Sequence, residues 1–133
     1  MKLITRDIDY ALRALVFIAQ RKKQIVPVSE LVAALKIPRP FLRKILQILH
    51  KKGVLESYKG FGGGFLLAKP AKRIFLVDLI EVFQGEFSLN ECFFKKMPCS
   101  GIATCVLRKK IDAIERYVVS QLKSITIASL VKG

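Results

Sequence analysis

The sequence has few acidic residues and no long apolar run. It contains 10 Asp and Glu against 24 Lys and Arg, a formal net charge of +14. This imbalance indicates a polyanionic partner, either nucleic acid or an acidic membrane surface. No stretch approaches the roughly 18 uncharged apolar residues of a membrane span. Asp7, Asp9 and Arg13 interrupt the first apolar stretch too early for a secretory signal. The length of 133 residues predicts a single domain, or one domain with a small appendage. With neither a span nor a signal, we expect no membrane partner.

Residues of catalytic type are also scarce. The chain has one histidine, His50, and 3 cysteines. We find no Cys/His pair, no Ser-His-Asp arrangement and no paired carboxylates, so the sequence does not indicate an enzyme. An odd number of cysteines favours a reducing cytoplasm, where metal or redox chemistry is more common than structural disulfides.

All the cysteines lie in one short stretch, with the spacing C-x6-C-x5-C. They are Cys92, Cys99 and Cys105. Three thiolates in one loop are able to hold a metal centre, but most cysteine-rich iron–sulfur and zinc sites have four ligands. The motif therefore predicts a metal site that lacks one ligand.

The first third of the chain has the pattern of a helix-turn-helix. Apolar spacing predicts helices over 8–21, 29–35 and 40–52, with Ser29 as an N-cap and Pro40 at a first helical position. A four-residue turn joins the second and third helices, as in a DNA-binding helix-turn-helix. The alternative is an ordinary helical hairpin with a solvated charged face. The third helix has an apolar stripe of Leu42, Ile45, Leu46 and Leu49 and a separate polar face of Arg39, Arg43, Gln47, and His50 or Lys51.

A predicted β-hairpin follows directly, with strands over 54–58 and 65–68. Glycines at its tip allow positive φ and close approach to a phosphate backbone or minor groove, which is typical of a DNA-binding wing. The alternative is a merely flexible tip. Residues 36–73 carry ten Lys and Arg against one acid, which predicts salt-dependent DNA binding. The predicted DNA contacts are Ser29, Arg39, Pro40, Arg43, Lys44, Gln47, Lys51, Lys59, Gly60, Gly62 and Gly63.

The rest of the chain predicts a helix over 74–83, a long helix over 105–123 and a short helix capped by Thr126. The apolar stripe of the long helix indicates a dimer seam, because two-fold dimers read palindromic operators. The alternative is that this stripe packs on its own winged helix. We thus expect a mainly α fold with a small β-hairpin wing: a winged helix-turn-helix over 1–84, a cysteine segment over 85–104 and a dimerisation region over 105–133. The predicted seam residues are Leu107, Ile111, Ile114, Val118 and Leu122.

Several stretches together form a recognisable pattern. They are Tyr10-Ala11-Leu12-Arg13, Val28-Ser29-Glu30-Leu31, Ile37-Pro38 with Phe41-Leu42, Lys52-Gly53-Val54-Leu55, Gly60 through Leu67, and the three-cysteine motif. With them the sequence resembles the IscR-type winged-helix regulators, the Rrf-two family, which includes NsrR and RirA, over essentially the whole chain. The resemblance implies a homodimeric, cytoplasmic transcription regulator, a repressor, that binds double-stranded palindromic operators. It also implies an iron–sulfur cluster (2Fe-2S or 4Fe-4S) on the cysteines that tunes DNA affinity and senses nitric oxide, iron or redox state.

The chain departs from the IscR branch at the fourth cluster ligand. That branch has a histidine three residues after the last cysteine, where this sequence has Arg108. The NsrR branch takes an aspartate from the first helix of the partner subunit, and Asp9 occupies the matching position. The resemblance therefore implies Asp9 as a fourth ligand. The alternative is that Asp9 only complements the dipole at the start of its helix.

Two further departures concern the wing and the signal. Lys59 stands where relatives commonly have arginine, and the first cysteine gap varies among relatives, so the cluster type cannot be read from it. A cluster-free alternative of the same fold would respond through thiol oxidation, helped by Lys95 and Lys96, which lower the pKa of a neighbouring thiol.

Overall fold

The computed structural model describes residues 3–85 and 102–132, and it is mainly helical with one β-hairpin. Cys92, Cys99, Lys95 and Lys96 lie outside the described residues. The predicted mixture of helices and a single hairpin is confirmed. In chain order the elements are α1 (Arg6–Gln20), α2 (Val28–Leu35), α3 (Arg39–Lys51), β1 (Leu55–Tyr58), β2 (Gly64–Leu67), a 3-10 turn (Ala71–Arg73), α4 (Leu76–Gln84), α5 (Ile102–Leu122) and α6 (Ile127–Lys132).

The start of α2 differs from the sequence prediction. Ser29 is already the second residue of the helix, and its side chain makes no capping hydrogen bond. The N-cap is Pro27, whose extended backbone lets its carbonyl accept from the backbone N–H groups of Glu30 and Leu31 at 3.1 and 3.3 Å. The prediction of Ser29 as N-cap was therefore wrong. The ring of Pro27 fixes its φ near the value of −66° seen here, its ψ of 150° keeps it extended, and the helix begins at the next residue, Val28.

The helix-turn-helix is formed as predicted. Lys36 ends α2 in the left-handed region with φ of 56°, and Pro38 precedes α3. Helix α3 begins one residue before the predicted start, so Pro40 is its second residue and still lies in the first turn, where a missing N–H costs nothing. The apolar stripe of α3 is confirmed as buried and consists of Leu42, Ile45, Leu46 and Leu49.

The hairpin is attached to the helices by a short backbone bridge that the sequence did not reveal. Strands β1 and β2 pair antiparallel, with Tyr58 opposite Gly64. Val26, in the connector before α2, exchanges two backbone hydrogen bonds of 2.9 Å with Phe65 of β2. A Cβ on Gly64 would overlap the carbonyl group of Val26. Gly64 is therefore required for the wing to dock beside the helix-turn-helix.

Two apolar clusters hold the described residues together. The larger joins α1, α3 and the hairpin, and it includes Ile127 of α6. The smaller contains Ile8, Leu76, Val77, Ile80 and Leu122, so the end of α5 packs on α1 and α4 of the same subunit. Helix α6 is capped by Thr126, as predicted, since the backbone N–H of Ser129 donates to the Thr126 hydroxyl at 3.1 Å and the Ser129 hydroxyl accepts from the Thr126 N–H at 3.0 Å.

Within residues 3–85 and 102–132, no helix combines the length and the apolar character needed to cross a bilayer.

Candidate nucleic-acid interface and cysteine sites

A groove of about 620 Å³ lies between α3 and the hairpin, which we call the wing. It brings together side chains that are far apart in sequence. Six of the predicted DNA contacts line it, three from α3 and three from the wing. They are Arg43, Gln47, Lys51, Lys59, Gly60 and Gly63.

The groove follows from the amphipathic pattern of α3. The four buried apolar residues fix one side of the helix against the core. Arg43, Gln47 and Lys51 are spaced four residues apart on the opposite side and are exposed. The helix therefore presents two cations and one amide on a single face, a set suited to phosphates and base edges.

The wing closes the groove with a tight turn. The backbone N–H of Gly63 donates to the Gly60 carbonyl at 3.0 Å. Gly62, the third residue of this turn, has φ of 78°, as a type II turn requires. A Cβ on Gly63 would overlap the carbonyl oxygen of Tyr58, so this position accepts only glycine without a shift of the backbone.

The remaining predicted DNA contacts are exposed but do not line the groove. Their participation in DNA binding stays a prediction, since they flank the groove at the start of α2, along α3 and at the tip of the wing. These residues are Ser29, Arg39, Pro40, Lys44 and Gly62.

The groove also contains polar residues that were not among the predicted contacts: His50, Ser57 and Tyr58. The His50 Nδ1 lies 3.1 Å from the Leu55 carbonyl oxygen. Because a carbonyl can only accept, Nδ1 carries the proton in this pairing. Helical spacing placed either His50 or Lys51 on the polar face of α3, and the structure brings both of them to the groove.

Tyr58 is hydrogen-bonded to Glu56, the single acidic residue of the segment 36–73. Its hydroxyl donates to Glu56 Oε2 at 2.7 Å, and this hydrogen bond and the carboxylate charge raise the pKa of Tyr58. Glu56 does not line the groove. The charged side chains of the groove wall are therefore all cationic, and no carboxylate is among the residues that line it.

Asp9, the implied fourth ligand, lies in the first turn of α1 and is half-buried, with 43% of its side chain accessible. Its two oxygens contact the Arg13 guanidinium, with Oδ1 3.3 Å from Nε and Oδ2 3.2 Å from a terminal nitrogen. Exposed pairs of this kind contribute only about 0–1 kcal/mol. Arg13 is thus a weak competitor for the Asp9 carboxylate, and a metal ion bound by this carboxylate would displace Arg13 at small cost in free energy.

Of the three cysteines, the structure describes Cys105. It is the fourth residue of α5 and is exposed. Among the described residues no group of three or more His, Cys, Asp and Glu is arranged to hold a metal ion. Arg108, one turn further along α5, is half-buried. The structure thus places one predicted thiolate ligand, at the start of a long helix.

The apolar stripe of α5 divides into two parts. Leu107 and Ile114 are exposed, Ile114 with 52% of its surface accessible. Ile111 and Val118 are half-buried. Leu122, with 7% accessible, lies in the smaller core cluster of its own subunit. The end of the predicted seam is therefore used within the subunit, as the alternative interpretation of this helix expected, and Val118 packs against the same cluster. Leu107 and Ile114 are not covered by the residues that the structure describes.

Comparison with known proteins agrees with this architecture. The family model described as Rrf2, iron-dependent transcriptional regulator, matches residues 4–133. The regulator NsrR of Oceanobacillus iheyensis is 32% identical, over 94% of this chain and 86% of its own length. The regulator IscR of Xenorhabdus nematophila is 28% identical, over 93% of this chain and 76% of its own length.

A solved structure shows the same fold at low identity. CymR, the global cysteine regulator of Bacillus subtilis, superposes with a TM-score of 0.80 and 19% identity, covering 99% of this chain and 98% of its own. The helix-turn-helix with its wing and the match over nearly the full chain lead to one conclusion: this chain belongs to the Rrf2 family of DNA-binding transcription regulators.

Proposed function

We propose that this chain is a homodimeric, cytoplasmic repressor whose affinity for a palindromic operator is controlled by an iron–sulfur cluster that senses nitric oxide, iron or redox state. The observation that carries the DNA-binding part is the groove between α3 and the wing, where Arg43, Lys51 and Lys59 converge. The proposal for the cluster rests on the three cysteines, on Asp9, and on family membership.

The groove supports two kinds of DNA contact. Arg43 and Gln47 have the fork-shaped donors and the amide that pair with guanine and adenine edges in a major groove. Lys51 and Lys59 are point charges suited to phosphates, which fix register but carry no sequence information. We therefore assign specificity to α3 and most of the non-specific affinity to its flanking lysines and the wing.

The uncovered part of α5 supports the dimer. Leu107, Ile114 and Tyr117 are exposed apolar side chains on one helix, and water contact with them is unfavourable. A second copy of α5 would cover them and set the distance between two recognition helices.

The donor set fits a cluster with three strong ligands and one weak one. Cys92, Cys99 and Cys105 would supply thiolates, and Asp9 of a partner subunit would supply a carboxylate. A carboxylate is a hard ligand and exchanges more readily than thiolate from soft iron. Bound there, the cluster would supply a redox- and ligand-sensitive centre. The role of Asp9 is to complete the site from α1, at the cost only of its exposed pair with Arg13.

Anaerobic reconstitution followed by native mass spectrometry tests this proposal. We expect a dimer that carries bound iron and sulfide, with visible charge-transfer absorption. Asp9→Ala should lower cluster occupancy or speed its loss, whereas Asp78→Ala, an exposed first-turn acid on α4, should not. A colourless dimer without iron or sulfide would reject the cluster and leave the DNA-binding function intact.

The alternative is a cluster-free regulator that responds through thiol oxidation, and the position of Cys105 favours it. Cys105 is exposed in the first turns of α5, where the positive end of the helix dipole stabilises a thiolate. Substituting all three cysteines by alanine distinguishes sensing from binding. Loss of the oxidant response with DNA binding retained supports a cysteine sensor, and an unchanged oxidant response rejects both versions.

A further inference from the structure

The tip of the wing carries a phenylalanine that touches almost nothing. Phe61 has a relative accessible surface of 112%, the largest among the exposed apolar residues of the described chain. A free phenyl ring in water is unfavourable, and the ring is large enough to bury 150–250 Å² against a partner. Its full exposure leaves the whole ring available to a partner.

The backbone around Phe61 is ordered so as to project the ring outward. Phe61 is the second residue of the turn closed by the 3.0 Å hydrogen bond from Gly63 to Gly60. Its neighbours Gly60 and Gly62 have φ of 88° and 78°, and a Cβ at either position would meet nothing within 4 Å. No side chain beside Phe61 therefore blocks its approach to a flat or grooved surface.

The charge around this tip selects the partner. Lys59 adjoins the turn, and Lys51 and Arg43 line the same groove. The nearest acid in the sequence, Glu56, is held by the Tyr58 hydroxyl and does not line the groove. An exposed ring on a cationic support with bare backbone on both sides is complementary to DNA, which offers phosphates outside and apolar base faces inside.

We propose that Phe61 is an apolar wedge: its ring enters the minor groove beside the operator half-site and opens a base step, which bends the DNA. This inference rests on the proposed DNA-binding function and adds a residue that neither base-edge recognition nor phosphate contact explains. Flexible pyrimidine–purine steps open most easily, so the wedge also gives sequence preference at a position that α3 does not reach.

The absence of tryptophan from the chain allows a direct test. With an operator selected from random duplexes by the wild-type protein, Phe61→Trp introduces the sole indole, at the tip of the wing. We expect its emission to be strongly quenched when DNA is added, because the ring stacks on bases. The matched control is Leu130→Trp, on α6 with 40% accessibility and outside both the groove and the proposed dimer seam, whose emission should not respond to DNA.

Affinity and bending supply the second readout. Phe61→Ala should weaken binding about tenfold for each half-site, and therefore about a hundredfold for the proposed dimer on its operator. It should also reduce the bend measured by energy transfer between the duplex ends. Phe61→Leu should retain most of the bend, since leucine also serves as a wedge.

Each outcome decides one question. Unchanged emission of Phe61→Trp on saturated DNA, or wild-type affinity and bend in Phe61→Ala, overturns the wedge. Wild-type protein that selects no DNA, or Arg43→Ala that binds all sequences like wild type, instead rejects the proposed function on which the wedge rests. Equal thermal unfolding midpoints of the variants show that the fold is intact, as expected for an exposed side chain.

Discussion

Replacement of the two groove lysines tests whether the groove binds the DNA backbone. Lys51 lies at the end of α3 and Lys59 at the base of the wing tip, and both are exposed and line the same groove. If each lysine neutralises one phosphate, each releases about one counterion. Because both subunits of the proposed dimer carry the substitution, Lys51→Ala or Lys59→Ala should reduce the slope of log K against log salt by about 1.8.

The magnitude follows from that slope. Between 50 and 200 mM salt, a fourfold change, a slope difference of about 1.8 alters the ratio of wild-type to variant affinity by about 12-fold, and the double variant by about 150-fold. The loss of affinity is therefore greatest at low salt and shrinks as salt rises. Discrimination between operator and unrelated DNA should change little, since phosphates carry no sequence information.

The assay is fluorescence anisotropy of labelled operator and scrambled duplexes at four or five salt concentrations. Lys123→Ala is the matched control, because Lys123 is exposed after the end of α5 and does not line the groove. It should retain the wild-type slope. If Lys51→Ala and Lys59→Ala also retain it, the groove is not the phosphate-binding surface and our placement of DNA is wrong.

Three further predictions follow from named contacts. Arg43→Ala should lower discrimination against a substituted operator base by about 1–3 kcal/mol in competition gel shifts, and equal discrimination would remove Arg43 from base recognition. Ile114→Glu should convert the dimer to monomer in sedimentation, because it places a charge in the exposed stripe of α5, whereas a retained dimer would refute the seam. Gly64→Ala should weaken operator binding clearly while lowering the thermal unfolding midpoint only slightly, because the added Cβ overlaps the Val26 carbonyl and displaces the wing. An unchanged affinity would show that the wing tolerates this shift.

The sequence predicted the elements of the fold well because their signals are local. The buried stripe of α3 follows from helical spacing, and Thr126 marks the start of α6 by capping chemistry alone. The bridge between Val26 and Phe65 was missed, because backbone pairing between distant segments leaves little trace in side-chain pattern. Ser29 was misassigned as a cap because Pro27, which takes that place, has no side-chain oxygen to signal it.

The residues of the candidate sites were also predictable where their position depends on local structure and not where it depends on tertiary packing. Arg43, Gln47 and Lys51 share a face by periodicity, so their meeting is a local property of one helix. That Lys59 would meet them depends on the docking of the wing, which is a tertiary property. Leu122 continues the stripe of α5 by spacing, yet it packs in the subunit core, because periodicity identifies an apolar face and not the surface that covers it.

Helix α1 is the element that connects the proposed ligand to the recognition helix. It carries Asp9 in its first turn and packs directly on α3. At the same end, the Arg6 guanidinium lies 5.0 Å from the centroid of the Phe41 ring, in the first turn of α3. A ligand state that pulls Asp9 away from Arg13 acts on the turn of α1 that holds this contact.

Such a connection has regulatory effect only if the two ligand states differ in the contacts they favour at α3. The first turn of α3 is the part that adjoins its exposed basic face, so a small rotation of α1 would reposition Arg39 and Arg43 together. The buried residues of α1 and α3 are closely packed, so a shift of α1 is transmitted to α3 through the shared core. The exposed contact between Arg6 and Phe41 adds a weaker link, worth about 0.5–1 kcal/mol, between the first turns of the same two helices.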